Sequence, residues 1–410
     1  MTNKSAPLYY FDYQSTTPMD KRVIDAVYKS MREDYGNPHS TSHPLGWKAI
    51  EKVENARMQV AKVINASADD IIFTSGATES NNLAIKGAAH FYQSKGKHII
   101  TMSVEHKCVL ESCKILETEG FEITYLDPEI DGLLDLNKLK DAIRKDTILI
   151  SIMGVNNETG VIQNLEEIGK IAHEHGILFH TDCAQAFGKI LLDVERMHID
   201  LMSISSHKIY GPKGIGALYV RQKPKVRLVP IIHGGGQERG IRSGTLSTPL
   251  CVGFGLASEI IRQEMGQDRQ HIQRLADSFL DKVLKLEDVY LNGSREHKIP
   301  GCINISFLHI EGESLMLAIQ NMCISTGSAC NSANLQPSYV ISKMRRDEYY
   351  AHSAMRFGFG RFTTQKEVNA LTRDLIKAVN HLRSISPLWE MKKMGIDLGE
   401  VEWENNYALL

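Results

Sequence analysis

One lysine sits where a nucleophilic amine has a use. The stretch from Ile199 to Val220 opens as an apolar run with strand-like alternation and stops at Ser205-Ser206. It then delivers His207 and Lys208, breaks at Gly211-Pro212 and resumes as an apolar run from Ile215 to Val220. Ligands of open α/β sheets bind at the carboxyl ends of strands, so an amine there can lose its water, stay nucleophilic and attack a carbonyl to form an imine. Taken alone, the His-Lys pair also suits a solvated loop beside a hairpin. A second run, Ile177 to Thr181, ends in Asp182 and is followed by Cys183, Ala184 and Gln185. A carboxylate at that edge can hold a proton on a heterocyclic nitrogen, or it can cap a helix.

Three further positions share this pattern. The run Ile71 to Thr74 leads through Ser75-Gly76-Ala77-Thr78 into a helical stretch whose first amides suit a phosphate ester; an ordinary cap by Ser75 or Thr78 is the bland alternative. The loop has neither a Gly-Lys-Ser/Thr ending nor a Gly-x-Gly-x-x-Gly run, so it offers no nucleotide fingerprint. His106 can stack on an aromatic ring and move protons, or sit as a surface residue in a first turn. Asn157 can donate to a phenolic oxygen, or shape a turn. A lysine, a carboxylate, a phosphate-type loop and a ring-stacking histidine at one sheet edge are the parts that pyridoxal phosphate chemistry requires.

A thiol stands apart from these. Cys330 lies in Ser325-Thr326-Gly327-Ser328-Ala329-Cys330-Asn331-Ser332-Ala333, a small and polar stretch that suits an accessible nucleophile rather than core packing. Cys251, Cys302 and Cys323 have apolar neighbours and read as packing residues, as does Cys183.

The elements that must hold these residues alternate regularly. Strand-like runs at Ile71 to Thr74, His98 to Met102, Phe121 to Leu126, Ile148 to Met153 and Ile177 to Thr181 are separated by helical stretches near 78–91, 105–118, 136–144 and 165–175. This predicts βαβ crossovers and an α/β fold with a mainly parallel, doubly wound sheet. Asn164 as a cap, Glu166 and Glu167 in the first turn and Gly176 beyond the end mark one helix. Ser15-Thr16-Thr17-Pro18 reads as the start of an amphipathic helix with Val23, Ile24, Val27 and Met31 on its apolar face. From Asp268 the texture turns to long amphipathic helices with few strands. The expected division is a large domain over 16–263 and a smaller α+β domain from 1–15 and 264–410, the latter carrying the cysteine loop and the tail.

These stretches resemble a fold-type I pyridoxal phosphate enzyme of the aminotransferase class V group, and within it the cysteine desulfurases of iron-sulfur cluster assembly. The likeness runs from Phe11-Asp12-Tyr13-Gln14-Ser15-Thr16-Thr17-Pro18 through residues 73–84, the Lys208 stretch and Gly234 to Thr245, to Ser386-Pro387-Leu388-Trp389-Glu390-Met391. The resemblance implies that Lys208 binds the cofactor covalently, Asp182 pairs with the pyridine nitrogen and Gln185 meets the phenolic oxygen. It implies that His106 stacks over the ring, and that Ala77, Thr78, Ser205 and His207 hold the phosphate. Thr245 is implied to reach the other subunit's phosphate in a homodimer, and Asn157 and Arg356 to take the carboxylate of L-cysteine. Cys330 is then the sulfur acceptor, passing sulfur to an iron-sulfur scaffold protein, which docks near 386–403, and to other acceptors. This chain reads Ser205-Ser206-His207-Lys208 where the family usually has Ser-Gly-His-Lys, and has Thr326 and Asn331 where the family's loop has Ser and Thr.

Composition excludes several other classes. The 410 residues carry 47 Lys+Arg against 49 Asp+Glu, a net charge of -2, which gives no bulk attraction to nucleic acid or an anionic membrane. Seven cysteines without a Cys-x-x-Cys pair argue against a disulfide framework or a zinc site and suit a reducing, cytoplasmic setting. The amino end lacks the apolar core of a secretion signal, and no apolar run spans a bilayer.

Overall fold

The structure is a computed structural model and describes residues 7–326, 337–345 and 348–395. The strands, in chain order, are β1 (Tyr9–Tyr10), β2 (Ile71–Thr74), β3 (His98–Met102), β4 (Glu122–Leu126), β5 (Thr147–Ser151), β6 (Leu178–Asp182), β7 (Leu201–Ser205), β8 (Gly216–Val220), β9 (Val289–Leu291), β10 (Cys302–Phe307), β11 (Met322–Cys323) and β12 (Ala354–Gly358). Seven of them form one sheet in the order β2-β8-β7-β6-β5-β3-β4. Only β8 runs against its neighbours; the other pairings are parallel. Strands β2, β3, β5, β7 and β8 are buried at every residue, as expected where helices cover both faces of a sheet. The fold is therefore the mainly parallel α/β sheet that the alternation predicts, with strand ends shifted by one or two residues.

The crossover helices are Ala77–Tyr92, Lys107–Thr118, Leu136–Ala142 and Leu165–Glu174. The last starts as its sequence says it should, with the Asn164 side chain accepting from the Glu167 amide and Gly176 at φ 68 past its end. The first helix of the chain differs from expectation. It spans Lys21–Glu33 and is capped by Asp20, whose carboxylate accepts from the Arg22 amide at 3.0 Å. The hydroxyls of Thr16 and Thr17, predicted to start it, turn instead to the loop that carries Lys208. Val23 and Val27 face the core, whereas Ile24 and Met31 lie on the outside.

Four hydrophobic clusters are present among the described residues, and the two largest position the site. The larger lies on one face of the seven-stranded sheet and takes in Phe73, Ile150, Phe179, Ile204 and Phe254. The smaller surrounds the antiparallel sheet β12-β10-β9 and includes Phe11, Phe279, Phe307, Phe357 and Leu371. One helix of 36 residues, Thr248–Val283, serves both, with Phe254, Ala257 and Ile261 in the first core and Leu275, Phe279 and Val283 in the second. The change of texture read at Asp268 falls inside this helix, because its apolar stripe continues while the core it covers changes.

Candidate active site

The site gathers at the carboxyl edge of β6 and β7. Asp182 closes β6 and pairs in register with Ser203 of β7, so the three residues after Ser205 bring His207 and Lys208 to the same edge. A short 3-10 turn over Ser206–Lys208 ends the strand. Asp182 is 6% exposed; its Oδ2 accepts from Asn81 Nδ2 at 2.6 Å and its Oδ1 from the Ala184 amide at 2.9 Å. Both contacts fix the position of the carboxylate.

The Lys208 amine donates to the carbonyl oxygens of Gln14 and of Ser15, the latter at 2.9 Å. The strap over 12–17 lies alongside it. The Thr17 hydroxyl donates to the His207 carbonyl at 2.9 Å and accepts from the Tyr210 amide at 2.8 Å, and Thr16 Oγ1 stands 3.1 Å from His207 Nδ1. Burial, helped by Lys208, Lys213 and Lys189, pushes His207 down to about 4, so it is neutral at physiological pH. Ser205 is buried beside it.

The helix Ala77–Tyr92 points its start toward the edge. Gly76 occupies the cap position and supplies no side-chain cap, contrary to a hydroxyl cap by Ser75 or Thr78. Ala77 is half-buried and Thr78 exposed. Glu79 in the first turn accepts from the Ser75 amide at 2.8 Å and pairs with Arg242 at 2.7 Å, tying the glycine-rich loop over 234–245 to this helix start. The loop is anchored a second time: Glu238 and Arg57 form a buried two-point pair at 2.7 and 2.8 Å, and Glu238 also accepts from the Phe73 amide of β2. Thr245 is exposed on that loop, away from the Lys208 cluster of its own chain.

His106 is the cap of the helix Lys107–Thr118, its Nδ1 accepting from the Cys108 amide at 3.2 Å and lying 2.9 Å from Cys108 Sγ. The neutral ring therefore keeps its proton on Nε2. Gln185 turns its Nε2 to the Gln14 carbonyl at 2.7 Å and receives Lys189 Nζ on Oε1 at 2.6 Å.

Arg356, a surface charge by sequence alone, is buried on β12. Its guanidinium donates to the Asn157 carbonyl at 3.0 Å, to Asp12 Oδ1 at 2.8 Å and to Ser15 Oγ at 2.7 Å. Asn157 and Arg356 are thus brought together. Arg356 Nε and Asn157 Oδ1 are buried without a hydrogen-bond partner among the described residues. Cys330 lies outside the described residues. The chain on either side of its segment meets this same corner: Ser325 pairs with Arg356 through two backbone hydrogen bonds, and Ser338 donates to the buried Glu158 at 2.5 Å.

Several participants carried no role in the sequence reading: Asp12, Gln14, Ser15, Asn81 and Lys189. Asp12 to Ser15 were visible as part of a motif, but their partners in the site lie 171 or more positions away, where spacing gives no signal. Asn81 was legible only as a polar residue on a helix. Ser206, in place of the family's glycine, is not among the residues with positive φ, so its side chain costs the backbone nothing. Its hydroxyl is buried without a partner among the described residues and occupies the space beside Gly211, where an added Cβ would lie 2.1 Å from Ser206 Oγ. Cys183 is fully buried and its thiol is pushed up by that burial, as suits a packing residue. The part of the tail that is described, Ser386 to Gly395, folds back on its own chain, with Ser386 bonded to the His309 carbonyl and Trp389 between Arg383 and Lys392.

A mainly parallel sheet that offers a lysine and a carboxylate at one edge, with an arginine from β12 bonded to the strap beside them, defines the class, and comparison with known proteins agrees. The family model described as Aminotransferase class-V matches residues 9–371, and the chain belongs to that family. A mitochondrial cysteine desulfurase of Saccharomyces cerevisiae is 54% identical over 397 residues, which is 97% of this chain and 80% of that protein. Cysteine desulfurase IscS of Rickettsia bellii is 54% identical over 404 residues, 98% of each chain. Among solved structures, a NifS-like protein superposes with a TM-score of 0.85 at 35% identity, covering 91% of this chain and 100% of the other. A structure described as SspA in complex with cysteine gives 0.78 at 40% identity, covering 87% and 99%. Within the class-V family the chain falls among the cysteine desulfurases.

Enzymes of this family work with pyridoxal phosphate. The residues here fit that group: an amine held at a sheet edge, a carboxylate fixed in position beside it, a helix start with no side-chain cap, and buried polar atoms of Asn157 and Arg356 that lack partners among the described residues.

Proposed function

We propose that this desulfurase removes the sulfur of L-cysteine at the β6–β7 edge, releases L-alanine and carries the sulfur as a persulfide on Cys330. The observation that supports it best is the shared location of Lys208, Asp182 and Arg356, each held in place by hydrogen bonds to neighbouring residues. Lys208 is the amine to which the cofactor would attach. Asp182 would pair with the ring nitrogen, and Gln185 would meet the phenolic oxygen. Ala77, Thr78, Ser205 and neutral His207 would hold the phosphate. Thr245 would do so for the partner subunit of a homodimer. Once bound, pyridoxal phosphate provides an electron sink that stabilises negative charge at the substrate's α-carbon.

The protein's own groups direct the rest. Arg356 presents a guanidinium to the substrate carboxylate, which shares or displaces its contact with Asp12, while Asn157 closes the other side. His106 moves protons through Nε2, since Nδ1 is committed to the helix amide. The Cys330 thiolate attacks the substrate sulfur, forming an S–S bond as the C–S bond breaks, and the electron pair and a proton end on the three-carbon product. The persulfide then passes to a scaffold protein for iron-sulfur assembly and to other acceptors. The cysteines among the described residues are free, in keeping with a cytoplasmic, reducing setting, and no helix among those residues is long and apolar enough to cross a membrane.

The test is mass spectrometry of the holoenzyme after brief exposure to L-cysteine, with alanine measured in parallel. One sulfur atom gained on the Cys330 peptide, absent in Cys330→Ser and in Lys208→Ala, is expected. Undiminished sulfur release by Cys330→Ser overturns the acceptor assignment.

A further inference from the structure

Lys189 enters the site from a direction the reaction above does not use. Gly188 precedes it at φ 73 in the left-handed region, and a Cβ there would stand 2.3 Å from Ile261 Cδ1, so glycine lets the chain turn Lys189 inward under the long helix. Its side chain lines, together with that of Lys208, a small cavity of ≈ 50 Å³ walled by Gln14, Tyr210, Ile261 and Phe359. Lys189 Nζ donates to Gln185 Oε1 at 2.6 Å, Gln185 Nε2 donates to the Gln14 carbonyl at 2.7 Å, and that same carbonyl accepts from Lys208. The two lysines are joined through one amide and one carbonyl.

From this geometry we infer that Lys189 is a positioning residue of the active site. It fixes the amide of Gln185 in one orientation and, through charge repulsion, keeps the Lys208 amine nucleophilic. The first effect follows from donor chemistry. An ammonium has only donors, so the atom of Gln185 that meets it is the oxygen, and the amide nitrogen must face the other way, toward the strap and the cofactor's phenolic side. The second follows from placing two amines in one poorly solvated wall, where each disfavours a proton on the other. Most of the groups facing Lys189 act in one direction. Burial pushes it down to about 7, with Lys208 and Arg356 acting in the same direction and Cys302 opposing. Asp268 and Arg269 line the same cavity, but the Asp268 carboxylate is already claimed by Arg361 at 2.7 Å.

This inference rests on Lys208 being the cofactor-binding amine, and the experiment separates the two. Holoenzyme variants Lys189→Gln, which removes the charge but keeps a donor for Gln185, Lys189→Met, which removes both, and Lys189→Arg, which keeps both, are compared without cysteine present. The readout is the pH midpoint of the absorbance band of bound pyridoxal phosphate. Lys189→Gln and Lys189→Met are expected to raise it by about one unit, a tenfold tighter hold on the proton at Lys208, while Lys189→Arg leaves it near that of the unmutated enzyme. Should Lys189→Met fail to fold, Lys189→Gln carries the charge test. An unchanged midpoint in the neutral variants overturns the inference, and so does an equal rise in Lys189→Arg. A holoenzyme that gives no borohydride-stable adduct on Lys208 overturns the reading beneath it instead.

Discussion

Replacing Arg57 by methionine tests how the glycine-rich loop is held. The Arg57 and Glu238 side chains are 4% and 3% exposed, and their two contacts at 2.7 and 2.8 Å bind the loop to the helix Pro44–Val63. Arg57 also donates to the Ile71 carbonyl at 2.9 Å and lies 4.7 Å from the centre of the Phe73 ring. Burial opposes the charge on Arg57, and the Glu238 carboxylate more than restores it. Removing one partner of such a pair costs about 3–5 kcal/mol, because the other charge stays buried without compensation. Here the Phe73 amide still donates to Glu238 at 2.6 Å, which places the expected loss near the lower end, about 3 kcal/mol, or roughly a hundredfold in the folding equilibrium. Arg57→Met/Glu238→Gln removes the stranded charge while keeping an acceptor for Phe73, and is expected to recover at least half of the loss. Urea denaturation followed by circular dichroism gives both values, and retention of pyridoxal phosphate on dialysis reports the loop. A single-variant cost below about 1 kcal/mol, or a double variant no more stable than the single, refutes the reasoning.

Other outcomes follow from the same contacts. Ser206→Ala removes a buried hydroxyl that has no partner among the described residues and is expected to stabilise the chain by about 1 kcal/mol in the same denaturation assay, whereas Gly211→Ala drives a Cβ into that hydroxyl and is expected to destabilise it. Asn81→Leu removes a hydrogen-bond donor that holds the Asp182 carboxylate in place, and is expected to weaken retention of pyridoxal phosphate on dialysis. Lys189→Met is expected to stabilise the protein at neutral pH, and the sign fixes the pH dependence. Between about 7 and 10.5 the folded chain holds fewer protons at this position than the unfolded chain, so the unfavourable contribution is full below about 7 and fades as pH rises toward 10.5. Melting temperatures of parent and variant that stay equally far apart from pH 7 to 10 would contradict it.

The parallel sheet was legible because each βαβ unit writes its own local code: an apolar run, a cap and a glycine stop, as at Asn164 and Gly176. The site was legible only in part. Lys208, Asp182 and His106 sit at strand and helix ends that local patterns reveal, whereas Arg356 looked like any charged residue until β12 carried it into the interior against Asp12 and Asn157. Spacing along the chain holds no information about such contacts. The first helix was misread at its start for a related reason. Thr16 and Thr17 have the chemistry of a cap, but a distant loop recruits their hydroxyls and leaves the capping to Asp20.

The long helix Thr248–Val283 has a mechanical meaning. Since one rigid rod is the seam of both hydrophobic interiors, neither can dissolve without exposing half of that rod, and the molecule should melt in a single step rather than in two. The same rod forms a wall beside both lysines through Ile261 and Met265, so any bend in it alters the space around their amines.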